Sequence, residues 1–196
     1  MKFRVAPAVM SKGRIMGNDW VCVPNHYNSF PVFIQRSVDG RLHEWDGRGD
    51  IATDGKKLLS SLPDEAIGLI GYSYGGLVAW WVSLVAPHRV REIIILGSVP
   101  KKKYVPRRLR WLCRFVPPVM MLWWRDEGVL SRLYSVCVDI PKEPPKVPTT
   151  WLLGKKDLYH SWEEYELPIW EQVLFVFHDG GGHPTVQEWG RLQKFS

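Results

Sequence analysis

Two kinds of apolar pattern alternate along this chain. Short continuous apolar runs read as buried strands, and longer stretches with apolar residues on one side read as helices. The predicted strands are Asp19–Val23, Ala66–Ile70, Val90–Leu96, Thr149–Leu153 and Gln172–Phe177. Arg41–Trp45 is predicted as a strand of mixed polarity, and Phe3–Val9 and Arg14–Met16 as short, weak ones. Ile51–Leu62 carries apolar residues at Ile51, Leu58, Leu59 and Leu62, which predicts a helix capped near Asp50. Leu77–Val85 predicts an apolar helix that Pro87 ends. Further helical stretches are predicted at Arg107–Phe115, Val119–Leu133, Ser161–Trp170 and Thr185–Lys194, while Phe30–Arg36 reads equally as a short helix or as extended chain. No internal repeat is visible. Strands alternating with helices predict an α/β fold with a mostly parallel sheet covered on both faces.

One stretch organises the rest. Between the strand ending at Ile70 and the helix starting at Leu77 lies Gly71-Tyr72-Ser73-Tyr74-Gly75-Gly76. A serine at the apex of a tight strand–turn–helix stands clear of the sheet edge. Side chains two residues before and after it would collide with the adjoining strand and helix, and both positions are glycine. The helix start aims free N–H groups at the space above Ser73. By composition alone G-x-S-x-G would arise in roughly one chain in fifteen of this length. The flanking strand and helix therefore carry the reading, which is that of a nucleophile.

A serine hydroxyl needs a base within hydrogen-bond reach, and that base needs an orienting acid. In parallel sheets, functional groups gather beyond the carboxyl ends of the strands. Asp157 follows the strand Thr149–Leu153, and His183 follows the strand Gln172–Phe177. Ser73, Asp157 and His183 thus form a candidate nucleophile, acid and base in one order. Asp139 is the alternative acid. The ordinary readings are a helix cap for Asp157 and an exposed loop residue for His183.

Composition narrows the setting. The chain has 196 residues, 45% hydrophobic and 23% charged, so one domain with a real core is expected. No apolar run is long enough to span a bilayer, and the N-terminus lacks the apolar core of a secretory signal. Cys22, Cys113 and Cys137 fit neither a zinc spacing nor a disulfide framework, which points to a reducing, cytoplasmic setting. No metal and no organic cofactor is expected. The net charge of +6 has much of its basic excess in Lys101–Lys103 and in Arg107, Arg108, Arg110 and Arg114. Such patches are open to contact with an anionic membrane, although a solvated face is the plainer reading. No nucleic-acid-binding motif accompanies them.

The motifs together resemble those of the α/β-hydrolase superfamily. The Gly71–Gly76 turn is similar to its nucleophile elbow. Leu153-Gly154-Lys155-Lys156-Asp157 is similar to its acid motif, and Gly180-Gly181-Gly182-His183 to its histidine motif. Trp45-Asp46-Gly47-Arg48-Gly49 is similar to its D-x-R-G loop. The resemblance covers most of the chain. It implies one domain over residues 1–196, with 101–139 as a helical cap. It also implies an oxyanion hole made by the Tyr74 N–H and a second N–H from Asn25 or His26. The usual His-Gly is missing at that second place, which reads Val23-Pro24-Asn25-His26-Tyr27, and Pro24 cannot donate. The implied activity is a serine hydrolase acting on a small-molecule ester or thioester. Tyr27, Trp111, Trp123 and Trp124 are candidates to line its acyl pocket. The elbow and the Leu77-Val78-Ala79 after it also resemble those of natural-product thioesterases. A non-enzymatic module with a docking cap is the alternative class. The oligomeric state is left open.

Overall fold

Apolar runs too short for helices pair side by side into a single sheet. The computed structural model describes residues 20–46, 49–105, 110–111, 127–154 and 167–178. The strands are β1 (Trp20–Val23), β2 (Arg41–Leu42), β3 (Ile67–Tyr72), β4 (Val90–Leu96), β5 (Thr149–Gly154) and β6 (Val173–His178). They lie in the order β2-β1-β3-β4-β5-β6, and every pairing is parallel. The predicted α/β class and parallel sheet are therefore observed.

Alternate residues of each strand serve two cores. Val21, Val23, Ile67, Leu69, Ile93, Ile95, Trp151 and Leu153 face one side. There they meet α2 (Ile51–Ser61) and α3 (Tyr74–Val85), through residues such as Ile51, Leu58, Leu77 and Trp80. Trp20, Cys22, Ile70, Tyr72, Ile94, Leu96 and Leu152 face the other side, where α1 (Val32–Val38) brings Ile34 and Val38. Burial pushes the Cys22 thiol up to about 12, so this cysteine is a packed apolar group rather than a reactive one. A fourth helix, α4 (Glu127–Val138), packs against α2 and α3. Its Ser131 hydroxyl donates to the Gly49 carbonyl at 2.6 Å, and its Ser135 hydroxyl accepts the Ile51 N–H at 3.0 Å. The helix thus satisfies backbone groups at the start of α2, together with the Asp50 side chain that caps it.

Several boundaries differ from the sequence expectation, each for a local reason. The strand expected over Arg41–Trp45 stops at Leu42. Beyond it the Trp45 N–H and carbonyl bond to the Asn28 side chain instead of a neighbouring strand. Helix α3 starts at Tyr74 rather than Leu77, because the elbow glycines form its first turn. The Phe30–Arg36 segment resolves into helix, shifted past Pro31 to Val38 and closed by Asp39 at φ 49°. Helix α4 continues past Leu133 to Val138, and residues 167–170 are not helical. The strands Phe3–Val9 and Arg14–Met16, the helix Thr185–Lys194 and most of Arg107–Phe115 lie outside the described residues.

The tryptophans are spread more widely than the 101–139 segment. Trp20, Trp45, Trp80 and Trp151 are buried in the body of the domain. Trp80, Trp151 and Trp170 form a mutual cluster with Phe175, with ring centroids 5.3 to 6.2 Å apart. In the 101–139 segment, Tyr104, Val105 and Cys137 join the core beside α3. No described helix is long and apolar enough to cross a membrane.

Candidate active site

Every residue from 67 to 80 is buried except Ser73. The serine sits between β3 and α3 with φ 52° and ψ −115°, a backbone conformation that costs on the order of 1–3 kcal/mol for a residue with a side chain. Its surroundings hold it there. The Ser73 N–H donates to the Leu96 carbonyl at 2.7 Å, the Gly76 N–H donates to the Ser73 carbonyl at 3.0 Å, and the Ser98 hydroxyl donates to that same carbonyl. A Cβ on Gly71 would lie 2.6 Å from the Gly76 nitrogen, and one on Gly75 would lie 2.7 Å from the Val23 carbonyl carbon. Strand β3, helix α3 and the end of β1 are therefore closer together than any side chain permits.

That closeness places the loop after β1 beside the elbow. Within it the Asn25 N–H donates to the Ser29 carbonyl at 3.0 Å and the Asn28 N–H to the Asn25 carbonyl at 3.1 Å. The Tyr27 N–H goes to the Asn25 side chain at 2.9 Å. His26 lies between these spent amides. Burial, and secondarily the charge of Arg132, hold the His26 imidazole below its ordinary pKa, which favours the neutral ring. Tyr27 is 65% exposed and its ring lies 4.2 Å from that of His26.

The parallel register brings the strand ends to the same sheet edge. Tyr72 pairs with Leu96, Leu96 with Leu152, and Leu152 with Val176. Strands β5 and β6 thus end, at Gly154 and His178, on the sheet edge where Ser73 stands. Asp157, His183, Trp123 and Trp124 themselves lie outside the described residues. Trp111 is 62% exposed.

A family model described as the alpha/beta hydrolase fold matches residues 40–112, from β2 through the elbow and past β4. Solved structures match nearly the whole chain. A hydrolase from Pseudomonas aeruginosa PA01 has a TM-score of 0.60 at 15% identity, covering 91% of this chain and 88% of that one. The enol-lactonase from Burkholderia xenovorans LB400 has a TM-score of 0.60 at 13% identity, covering 91% and 89%. A monoacylglycerol lipase from Paleococcus ferrophilus has a TM-score of 0.57 at 13% identity, covering 90% and 95%. The chain has the α/β-hydrolase fold. None of the curated proteins matches its sequence.

The residue after Ser73 is anchored by a buried polar group that the hydrophobic pattern did not reveal. The Tyr74 hydroxyl donates to Asp54 Oδ2 at 2.8 Å, and Arg132 Nε donates to the same oxygen at 2.7 Å. Asp54 is fully buried and Arg132 nearly so. Burial, then the Asp54 charge, raise the Tyr74 phenol far above its ordinary pKa, so it remains a donor. Asp54 falls on the buried side of α2 with Ile51 and Leu58. A carboxylate on an apolar helix stripe was the signal available, since such a group needs a buried partner. Ser98, two residues past the end of β4, had no such signal. Among the described residues no His, Cys, Asp and Glu cluster suits a metal ion.

Proposed function

We propose that this α/β-hydrolase is a serine hydrolase that cleaves a small-molecule ester or thioester through an acyl-enzyme. The observation that carries the reading is Ser73, held at φ 52° as the one residue from 67 to 80 that is not buried. The strain is held by hydrogen bonds between the Ser73 backbone and Leu96, Gly76 and Ser98, around a serine that stays partly accessible. Ser73 stands just past the carboxyl end of β3, the edge where a parallel sheet gathers functional groups.

In the proposed reaction Ser73 Oγ attacks the substrate carbonyl while His183 takes its proton, and Asp157 orients the imidazole. The Tyr74 N–H and the His26 N–H stabilise the tetrahedral oxyanion, a contribution of ~3–4 kcal/mol per donor in comparable sites. The second donor is assigned to His26 because Asn25 and Tyr27 spend their N–H groups within the loop. His183 then protonates the leaving group, and water releases the acid. The 101–139 segment serves as the cap, and its Trp111, Trp123 and Trp124, with Tyr27 from the loop after β1, are the candidate acyl contacts. A fluorophosphonate probe and a C2 to C8 series of p-nitrophenyl esters, with acyl-CoA alongside, test the reading. Labelling and turnover in the wild type, both absent in Ser73→Ala, are expected. Equal labelling of the two proteins would remove Ser73 from the role of nucleophile.

A further inference from the structure

Trp45 opens the D-x-R-G-like loop, and it touches both sides of the candidate oxyanion site. Its indole N–H donates to the Asn25 carbonyl at 2.8 Å. Its backbone N–H donates to Asn28 Oδ1 at 2.7 Å, and its carbonyl accepts from Asn28 Nδ2 at 3.1 Å. On the other side its ring meets the Tyr74 ring edge-on at 5.7 Å. The Arg132 guanidinium lies over the same indole at 5.5 Å while pairing with Asp54, which holds the Tyr74 hydroxyl.

The Asn25 carbonyl and the His26 N–H belong to one peptide group. In a planar trans peptide the two bonds point in opposite directions, so holding the oxygen fixes the direction of the N–H. The Asn25 oxygen is held twice, by the Trp45 indole and by the Asn28 N–H. Loop 25–28 has no helix or strand of its own to set that plane. An oxyanion donor must lie 2.7–3.1 Å from the developing charge, which leaves little tolerance for rotation of the peptide.

We propose that Trp45 is a positioning residue, one that fixes the His26 peptide plane and braces it against Tyr74 so that both oxyanion donors converge on one point. The proposal rests on the serine-hydrolase reading above. It makes Trp45 act on the transition state rather than on substrate binding, because the charge it serves develops only during attack.

The test is Trp45→Phe, which keeps an aromatic ring against Tyr74 and Arg132 and deletes the indole N–H. Labelling of Ser73 and ester kinetics are measured first in the wild type. The kcat of the variant should fall about tenfold with KM within about twofold, and affinity for a trifluoromethyl ketone that mimics the tetrahedral oxyanion should fall by a similar factor. Asn28→Gly is the second variant, because glycine accepts the φ of 57° at this position while removing both side-chain bonds to Trp45. It lies in an exposed loop, so it reports even if Trp45→Phe does not fold, and it should lower kcat in the same way. Unchanged kcat and ketone affinity in a folded variant, or a rise in KM alone, would overturn the positioning role while leaving the hydrolase reading intact. A wild type that neither labels at Ser73 nor turns over would overturn both.

Discussion

The elbow and the loop opposite it solve the same task in different ways. At the elbow, backbone packs on backbone. Glycines let β3, α3 and the end of β1 approach one another, and the strain at Ser73 is held mainly by main-chain hydrogen bonds within the sheet edge. At loop 25–28, side chains add to two main-chain hydrogen bonds. Asn25, Asn28 and Trp45 replace the missing main-chain partners, and Arg132 and Asp54 back them from α4 and α2. A site built from one local turn is encoded in six consecutive residues. Its counterpart draws on four separate segments and depends on all of them.

The difference can be tested from either side. The largest effect is expected at Ser73. Ser73→Gly should lose essentially all turnover yet gain about 1 kcal/mol of stability in urea unfolding, because glycine accepts the positive φ that serine resists. A less stable Ser73→Gly would show that the elbow stores no strain, and the contrast would weaken. Next comes the buried ion pair. Arg132→Met strands the Asp54 charge and should cost about 3–5 kcal/mol, whereas Arg132→Met combined with Asp54→Asn should recover part of that loss. Equal instability of single and double variants would mean that packing, not charge, makes the anchor.

Gly75→Ala probes the backbone-held side. The added methyl would meet the carbonyls of Val23 and Pro24, which have nowhere flexible to move. A stability loss of about 1–3 kcal/mol and a fall in kcat are expected from thermal unfolding and ester assays. Wild-type behaviour would refute the close approach of α3 to β1. The smallest effect belongs to Ser98→Ala, which removes one bond to the Ser73 carbonyl. About 1 kcal/mol is expected, with activity kept within tenfold. A loss of activity as complete as that of Ser73→Ala would show that the elbow also depends on a side chain.

This contrast explains what could be read from the sequence. The strands and the elbow were legible because each is a continuous run with its own apolar pattern, as in Val90–Leu96 and Gly71–Gly76. The start of α3 was not, since Tyr74, Gly75 and Gly76 look like a turn until β1 is seen beside them. Asn28 reads as an ordinary turn residue, and its two bonds to Trp45 span 17 positions of sequence. Arg132 lies in a stretch that reads simply as basic and aromatic. Its pairing with Asp54 joins residues 78 positions apart, a link that apolar periodicity does not record. The sequence leaves Asn25 and His26 as equal candidates for the proposed second donor for the same reason, since the hydrogen bonds that occupy Asn25 are made by the folded loop.

The indole cluster of Trp80, Trp151 and Trp170 has an optical consequence. Its rings come from α3, from β5 and from the segment just before β6, at separations where neighbouring transition dipoles couple. Coupled, rigidly held chromophores give near-ultraviolet circular dichroism that vanishes when fixed packing is lost. Strands β5 and β6 belong to the same sheet as β3, so the same signal reports whether that sheet is still docked on the helix that follows Ser73. The protein therefore contains a spectroscopic gauge of its proposed site's assembly, readable without substrate or label.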